Sequence, residues 1–422
     1  MMTGAVFSTW GALAGLAVAV VLIVRRATPA YALVLGALVG GLAGGGGLQE
    51  TVSAMISGTQ AMMPSILRIL ASGVLVGALV KTGSAAKIAE AVVAGCGSRF
   101  ALAAIAIATM VVTAVGVFVD IAVITVAPVA LAIGRKANIS VPALLIAMIG
   151  GGKAGNVVSP NPNTIAVAEA FRLDLTTLIA ANLVPAVCAL AVTALVAAWL
   201  AKRHPGHDSS FVGADAPESL PSLLQALAGP AAVIALLSLR PLVGYVVDPL
   251  VALPAGGVVS MLACGRWRRV VEYSEFGLSK VAGVSILLVG TGTVAGIIKA
   301  SDLNADVLEM LKACRLPVAA LAPISGLLFS GATASTTAGV TIAAQTFSGA
   351  FAEAGVPAVS AAAMLHAGGT VFDALPHGSF FHATAGAVGM SVKDRLRLFP
   401  YGEVVGATTT LVSILVNAML RG

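Results

Sequence analysis

Apolar and polar positions fall in long blocks along this chain, without the short alternation of a soluble strand or surface helix. Runs of Ala, Val, Leu, Ile and Gly are separated by short segments in which Arg, Lys, Asp, Pro and Asn gather. A helix that crosses a bilayer needs about 20 predominantly apolar residues. The pattern predicts such spans over 5–24, 28–46, 60–80, 101–134, 141–170 and 177–201. A second set follows over 223–240, 245–264, 281–299, 316–350, 357–388 and 402–420. Between them lies a polar linker, "KRHPGHDSSFVGADAPESLPS" (202–222). The fold class is therefore an all-α polytopic membrane protein in two membrane repeats, 1–201 and 223–422.

Two of the runs are too long for one span. Residues 101–134 lie between Arg99 and Arg135. Basic clusters that mark one face of the membrane require this run to begin and end on the same side. A re-entrant hairpin does so, with its tip in "VTAVGVFVD" (112–120). Residues 316–350 form the counterpart around "SGATASTTAG" (330–339), after the acidic Asp302, Asp306 and Glu309. That flank predicts entry from the opposite face. An internal match agrees: "GALVKTGSAAKIAE" (77–90) resembles "AGIIKASDLNADVLE" (295–309), with Lys81 over Lys299, an offset of 218 residues. The same shift carries Gly150–Gly151 onto Gly368–Gly369 and Asp120 onto Ala338. Two halves, each with about five crossings and one hairpin, predict inverted-topology repeats.

Composition sharpens the picture. Hydrophobic residues make up 58% of the 422 and charged ones only 10%, against roughly a quarter charged in soluble domains. The net charge of +6 sits at the ends of apolar runs, which is positive-inside patterning and implies no nucleic-acid partner. The opening "MMTGAVFSTWGALAG" lacks a basic leader and reads as the start of the first span. Cys96, Cys188, Cys264 and Cys314 are scattered without metal-ligand spacing; no metal or cofactor is predicted.

The candidate chemistry lies where the runs break. "GGGKAGNVVSPNPN" (150–163) places glycines, prolines and asparagines inside 141–170. Irregular backbone at membrane depth survives only around a cavity or inside protein. Pro160 and Pro162 disfavour helix before them, so 141–170 reads as a broken helix. Its second half starts after Asn163, a suitable N-cap, and its positive end points at an anion. "GGTVFDALPHGSFFHATAG" (368–386) is the matching break within 357–388. Paired broken helices are a sequence pointer to a transporter's binding site. Asn156, Ser159, Asn161, Asn163, Thr333, Ser335, Thr336, Thr337 and Ser379 are the candidate hydrogen-bonding groups for substrate. Lys153 either pairs with a substrate carboxylate, neutralises Asp120 or snorkels to the surface. Intramembrane ionisable residues face cavities, so Asp120, Asp373, His366, His377 and His382 are the candidates for proton coupling.

These stretches resemble the gluconate permease (GntP) family. The resemblance rests on "TPAYALVLGALVGGLAGG" (28–45), "VFVDIAVITVAPVALAIGRKANISVPALL" (117–145), "SPNPNTIAVAEAF" (159–171) and "HGSFF…GMSVKDRLRLF" (377–399). Ser159-Pro160-Asn161-Pro162-Asn163-Thr164 occupies the family's proline-rich motif and keeps both central prolines, with Asn161 in place of its histidine. Asp120 matches the family's acidic position in its first hairpin stretch. Pro376 to Phe381 matches its late motif, with His377 where that motif has an acid. The resemblance implies proton-coupled import of gluconate or a related small hydroxy-carboxylate across the cytoplasmic (inner) membrane. It also implies a homodimer with paired hairpins and broken helices, and an elevator-type movement. Na⁺ coupling through the hydroxyl-rich "ATASTT" is the alternative within transport. An integral-membrane enzyme is the alternative outside it, and no G-x-S-x-G, H-E-x-x-H or P-loop pattern supports one.

Overall fold

The computed structural model describes residues 6–25, 27–96, 100–203, 220–245, 247–313, 317–376 and 378–419. Arg26, Arg99, Cys314, His377 and most of the predicted linker, 204–219, lie outside the described residues. Among the described residues are twenty α-helices and no strand. The first eleven are α1 (Thr9–Val24), α2 (Pro29–Ala43), α3 (Leu48–Ala61), α4 (Met63–Lys81), α5 (Ser84–Cys96), α6 (Ala101–Ala114), α7 (Val119–Ala137), α8 (Val141–Asn156), α9 (Pro162–Ala170), α10 (Leu175–Ala181) and α11 (Leu183–Arg203). After the linker come α12 (Leu223–Val243), α13 (Pro249–Ala263), α14 (Val270–Lys299), α15 (Leu303–Ala313), α16 (Leu321–Thr333), α17 (Thr336–Glu353), α18 (Ala358–Gly368), α19 (Ser379–Ala387) and α20 (Val392–Met419).

Four of these are long and apolar enough to cross a bilayer by themselves: α4, α11, the Trp267–Lys299 rod that contains α14, and α20. Large apolar side chains on the outside, such as Leu195 and Leu224, are exposed (69% and 83%). Water would disfavour that surface, and lipid suits it. The structure also contains helices the apolar runs do not predict. α3 and α15 are amphipathic and carry acidic residues in their first turns, so they never form an apolar block. α14 starts at Val270 and α20 at Val392, well before the predicted 281 and 402, because charged residues extend helices outside the apolar stretch.

The helices form two sets. α1, α2, α3, α4, α12, α13 and α14 pack together, with α4 and α14 crossing at the centre. The second set surrounds α8, in which every residue but Pro142 is buried. α6 and α7 form one helical hairpin, with the turn at 115–118; α16 and α17 form another, with the turn at Ala334–Ser335. α8 packs on α6 and α18 packs on α16. Both contacts run through glycine: a Cβ on Gly151 would lie 2.1 Å from the Ala106 carbonyl oxygen, and one on Gly368 would lie 2.3 Å from that of Pro323. The short helix after each break then packs on the opposite hairpin, α9 on α17 and α19 on α7.

Helix starts recur at a nearly constant spacing of about 217 residues: α7 and α17, α8 and α18, α9 and α19, α10 and α20. This register sets Asp120 opposite Thr337, one position from the Ala338 given by the sequence match.

Candidate functional site

The chain breaks after α8 across 157–161: Pro160 lies inside the break and Pro162 begins α9, and each lacks an N–H and disfavours helix at the residue before it. Asn161 repairs the break from both sides. Its Oδ1 accepts from the backbone N–H of Asn163 (2.9 Å) and Thr164 (3.1 Å), while its Nδ2 donates to the Asn156 carbonyl (2.9 Å) and Oδ1 (2.7 Å). Asn161 is therefore the N-cap of α9, two residues earlier than the predicted Asn163. Pro162 follows it at N1, where a missing N–H costs nothing. Asn163 instead donates from Nδ2 to Asn156 Oδ1 (2.8 Å) and accepts from Thr337 Oγ1 across the hairpin tip. Ser159 is buried and donates to the Thr113 carbonyl on α6 (2.7 Å).

A second repair uses charge. Lys153 is fully buried near the end of α8, and its Nζ donates to the Thr370 carbonyl just beyond α18 (2.8 Å). Helix C-termini carry orphan carbonyls and a negative dipole end, which suit a cation. The same ammonium lies 2.8 Å from Asp373 Oδ1 and 3.5 Å from Glu403 Oε1 on α20. Asp373 Oδ2 accepts from Thr336 Oγ1 (2.7 Å) in the first turn of α17. One carboxylate thus joins the buried lysine to the second hairpin tip.

A cavity of about 640 Å³ opens between the two helix sets at this point. Asp120, Asn156, Asn163, Thr333, Ser335, Thr336, Thr337, Asp373 and Ser379 all line it. The first turns of α7, α9, α17 and α19 converge on its wall, with Phe118, Asn161, Ser335 and Gly378 as their N-cap positions. From the other set come the start of α2 (Thr28 to Ala30) and the middle of α14, including Lys280. Helix N-termini carry positive dipole ends, and here they meet hydroxyl and amide side chains and the carboxylates of Asp120 and Asp373.

Several predicted residues stand elsewhere. Lys153, Ser159 and Asn161 are buried behind the wall and hold the break together. His366 is fully buried in α18, with neither ring nitrogen hydrogen-bonded. His382 is exposed and its Nε2 bonds the Pro376 carbonyl (2.8 Å). His377 lies outside the described residues. His366 and His382 thus do not line the cavity. Sequence reasoning missed Lys280, Arg395 and Glu403. Glu403 carried a usable signal, since seventeen uncharged residues follow it before the next basic one at 421; an acid heading such a run marks an intramembrane site. Lys280 sits among Glu272, Glu275 and Ser279 in a stretch that reads as surface.

Comparisons with known proteins show the family and the fold. The family model of GntP family permeases matches residues 9–420. A Haemophilus influenzae protein described as an uncharacterized transporter is 49% identical over 414 residues, covering 98% of this chain and 99% of its own. A second protein of that organism, described as an uncharacterized permease, is 29% identical over 198 residues, 46% of this chain and 40% of its own. In fold, the chain is similar to the YdaH transporter of Alcanivorax borkumensis, whose crystal structure is described as revealing an unusual topology. The TM-score is 0.67 at 17% identity, over 89% of each chain. Matched over nearly its whole length, the chain belongs to the GntP permease family: it is a multi-pass membrane transporter, not an enzyme.

Proposed function

We propose that this permease imports a small organic anion, a gluconate-like hydroxy-carboxylate, by proton symport across the cytoplasmic membrane. The observation that carries the reading is the convergence of four helix N-termini and their hydroxyl and amide side chains on one cavity. At about 640 Å³ the cavity falls within the roughly 300–1,000 Å³ of small-molecule sites. The positive dipole ends of α9 and α17 attract the carboxylate, and the substrate hydroxyls bond Asn156, Asn163, Thr333, Ser335, Thr337 and Ser379. Asp120 and Asp373, both on the wall, link the site to protons. The two halves act as inverted repeats of five crossings and one re-entrant hairpin each, within a homodimer, and the α8-centred set carries substrate past the α4–α14 set. The oxygen-rich tip at Thr333–Thr337 supports Na⁺ as the competing coupling ion.

Uptake of labelled gluconate into proteoliposomes separates these readings. A pH gradient, inside alkaline, without Na⁺ should drive accumulation in wild type. Asp120→Asn should abolish that accumulation while leaving gluconate exchange. Accumulation that requires Na⁺ at fixed pH would replace the proton by Na⁺, and full accumulation by Asp120→Asn would remove Asp120 from the coupling.

A further inference from the structure

Glu403 is a buried acid that does not line the cavity. Its side chain is 11% exposed, and neither carboxylate oxygen receives a hydrogen bond. The charged groups that face it are Lys153 from α8, Asp373 from the break after α18, and Arg395 from its own helix α20. Arg395 is buried more deeply still: its Nε donates to Thr384 Oγ1 (3.4 Å), its guanidinium lies 5.0 Å from the centre of the Phe381 ring, and Nη1 has no partner. Two cations and two carboxylates therefore share one apolar interior, with Lys153 common to both acids.

The balance of charge gives this cluster a use. Fully ionised, it is neutral. A proton on Glu403 leaves one positive charge in excess, centred on Lys153 and Arg395, and an uncompensated charge in such surroundings is costly. Asp373 is the member that reaches the cavity wall. An anion arriving beside it compensates the excess. We infer that Glu403 is a second proton-binding group, in addition to Asp120 on the wall, and that it couples carboxylate binding to protonation with Lys153 as the counter-ion it shares with Asp373. The inference rests on the proton-symport reading above. Proton and anion each favour the other's binding, by the same factor in both directions. Cavity empty with Glu403 ionised, and cavity loaded with Glu403 protonated, are the two neutral states, so the pair travels together.

Infrared difference spectroscopy of the protein in lipid, titrated over pH without substrate, reads a buried carboxylic acid directly. Wild type should show a protonated-acid band that Glu403→Gln lacks and Glu403→Asp shifts; the latter keeps the test open if the glutamine variant does not insert. Adding gluconate at fixed pH should enlarge that band. Gluconate affinity in wild type should rise on acidification by up to about tenfold per pH unit, and the rise should flatten in Glu403→Gln. A band set unchanged by both substitutions overturns the assignment whatever the protein transports. A Glu403 band that does not respond to gluconate, in protein that binds gluconate, overturns the coupling. Wild type that binds no carboxylate at all fails the symport reading instead, and the band still reports whether Glu403 titrates.

Discussion

Lys153 shows how a single side chain acquires its role from distant partners. It touches Thr370, Asp373 and Glu403, all of them in the second half of the chain. Replacing it by methionine leaves two carboxylates buried without their shared cation, which costs about 3–5 kcal/mol. Lys153→Met should therefore lower the melting temperature sharply in detergent, and Lys153→Met with Asp373→Asn should recover part of the loss. No recovery would mean that the two do not share one charge balance. Asn161→Ala removes the cap of α9 and should cost about 0.5–2 kcal/mol, read by the same melting measurement. Asn161→Asp keeps the accepting oxygen but sets a buried carboxylate oxygen against the Asn156 carbonyl and Oδ1, so it should not recover the loss. At this scale the sequence is legible where chemistry is local. The prolines and asparagines mark the break, but the cap falls on Asn161 because Pro162 can begin a helix. The partners of Lys153 are invisible in its own neighbourhood, so its burial as a structural cation does not follow from "GGGKAG".

Between elements, close approach and ion pairs set the arrangement. Gly151 lets α8 lie against α6, so Gly151→Ala should destabilise by about 1–3 kcal/mol through overpacking. Gly95→Ala, on open surface in α5, should be neutral or stabilising and serves as its control. Equal effects of the two would contradict the packing described. Arg68 on α4 bonds Asp248 at the N-cap of α13 (3.0 and 2.7 Å) and pairs with Glu169 on α9, so it ties the α4–α14 set to the α8-centred set. Hydrogen bonding from Arg68 holds the Asp248 carboxyl below the usual carboxylate range. A depressed value stabilises the fold above the unfolded pKa, about 3.9, and that contribution is lost as pH falls through the lower folded one. Asp248→Asn should therefore show a shallower loss of melting temperature between about pH 5 and pH 3; an identical slope would remove this contact from acid stability. Breaks and hairpin turns are legible because Gly, Pro, Asn and Ser punctuate apolar runs. α3, α5 and α15 are not, since amphipathic helices of 11 to 14 residues contain no apolar block.

For the whole molecule, function follows from what the breaks bring together. Two hairpin turns and two helix breaks, far apart in the chain, place four helix N-termini around one cavity that opens onto Lys280 and the start of α2. Each hairpin receives the half-helix of the other half, α9 on α17 and α19 on α7, so each tip is packed against the opposite break. The membrane class and both broken regions can be read from apolar run lengths and their interruptions. The interlock cannot, because it is a contact between halves that no local pattern encodes. Thr337→Val, which removes the bond between the second tip and Asn163, should weaken carboxylate binding several-fold, by about the 0.5–1.5 kcal/mol of one net hydrogen bond. Unchanged affinity would place substrate away from that tip. The most direct measurement is internal pH in dye-loaded proteoliposomes as a panel of small carboxylates, gluconate first, is added without Na⁺. Acidification by a hydroxy-carboxylate, absent from empty liposomes and lost in Asp120→Asn, is the predicted result. A steady internal pH across the panel, with uptake only when Na⁺ is supplied, would contradict proton symport.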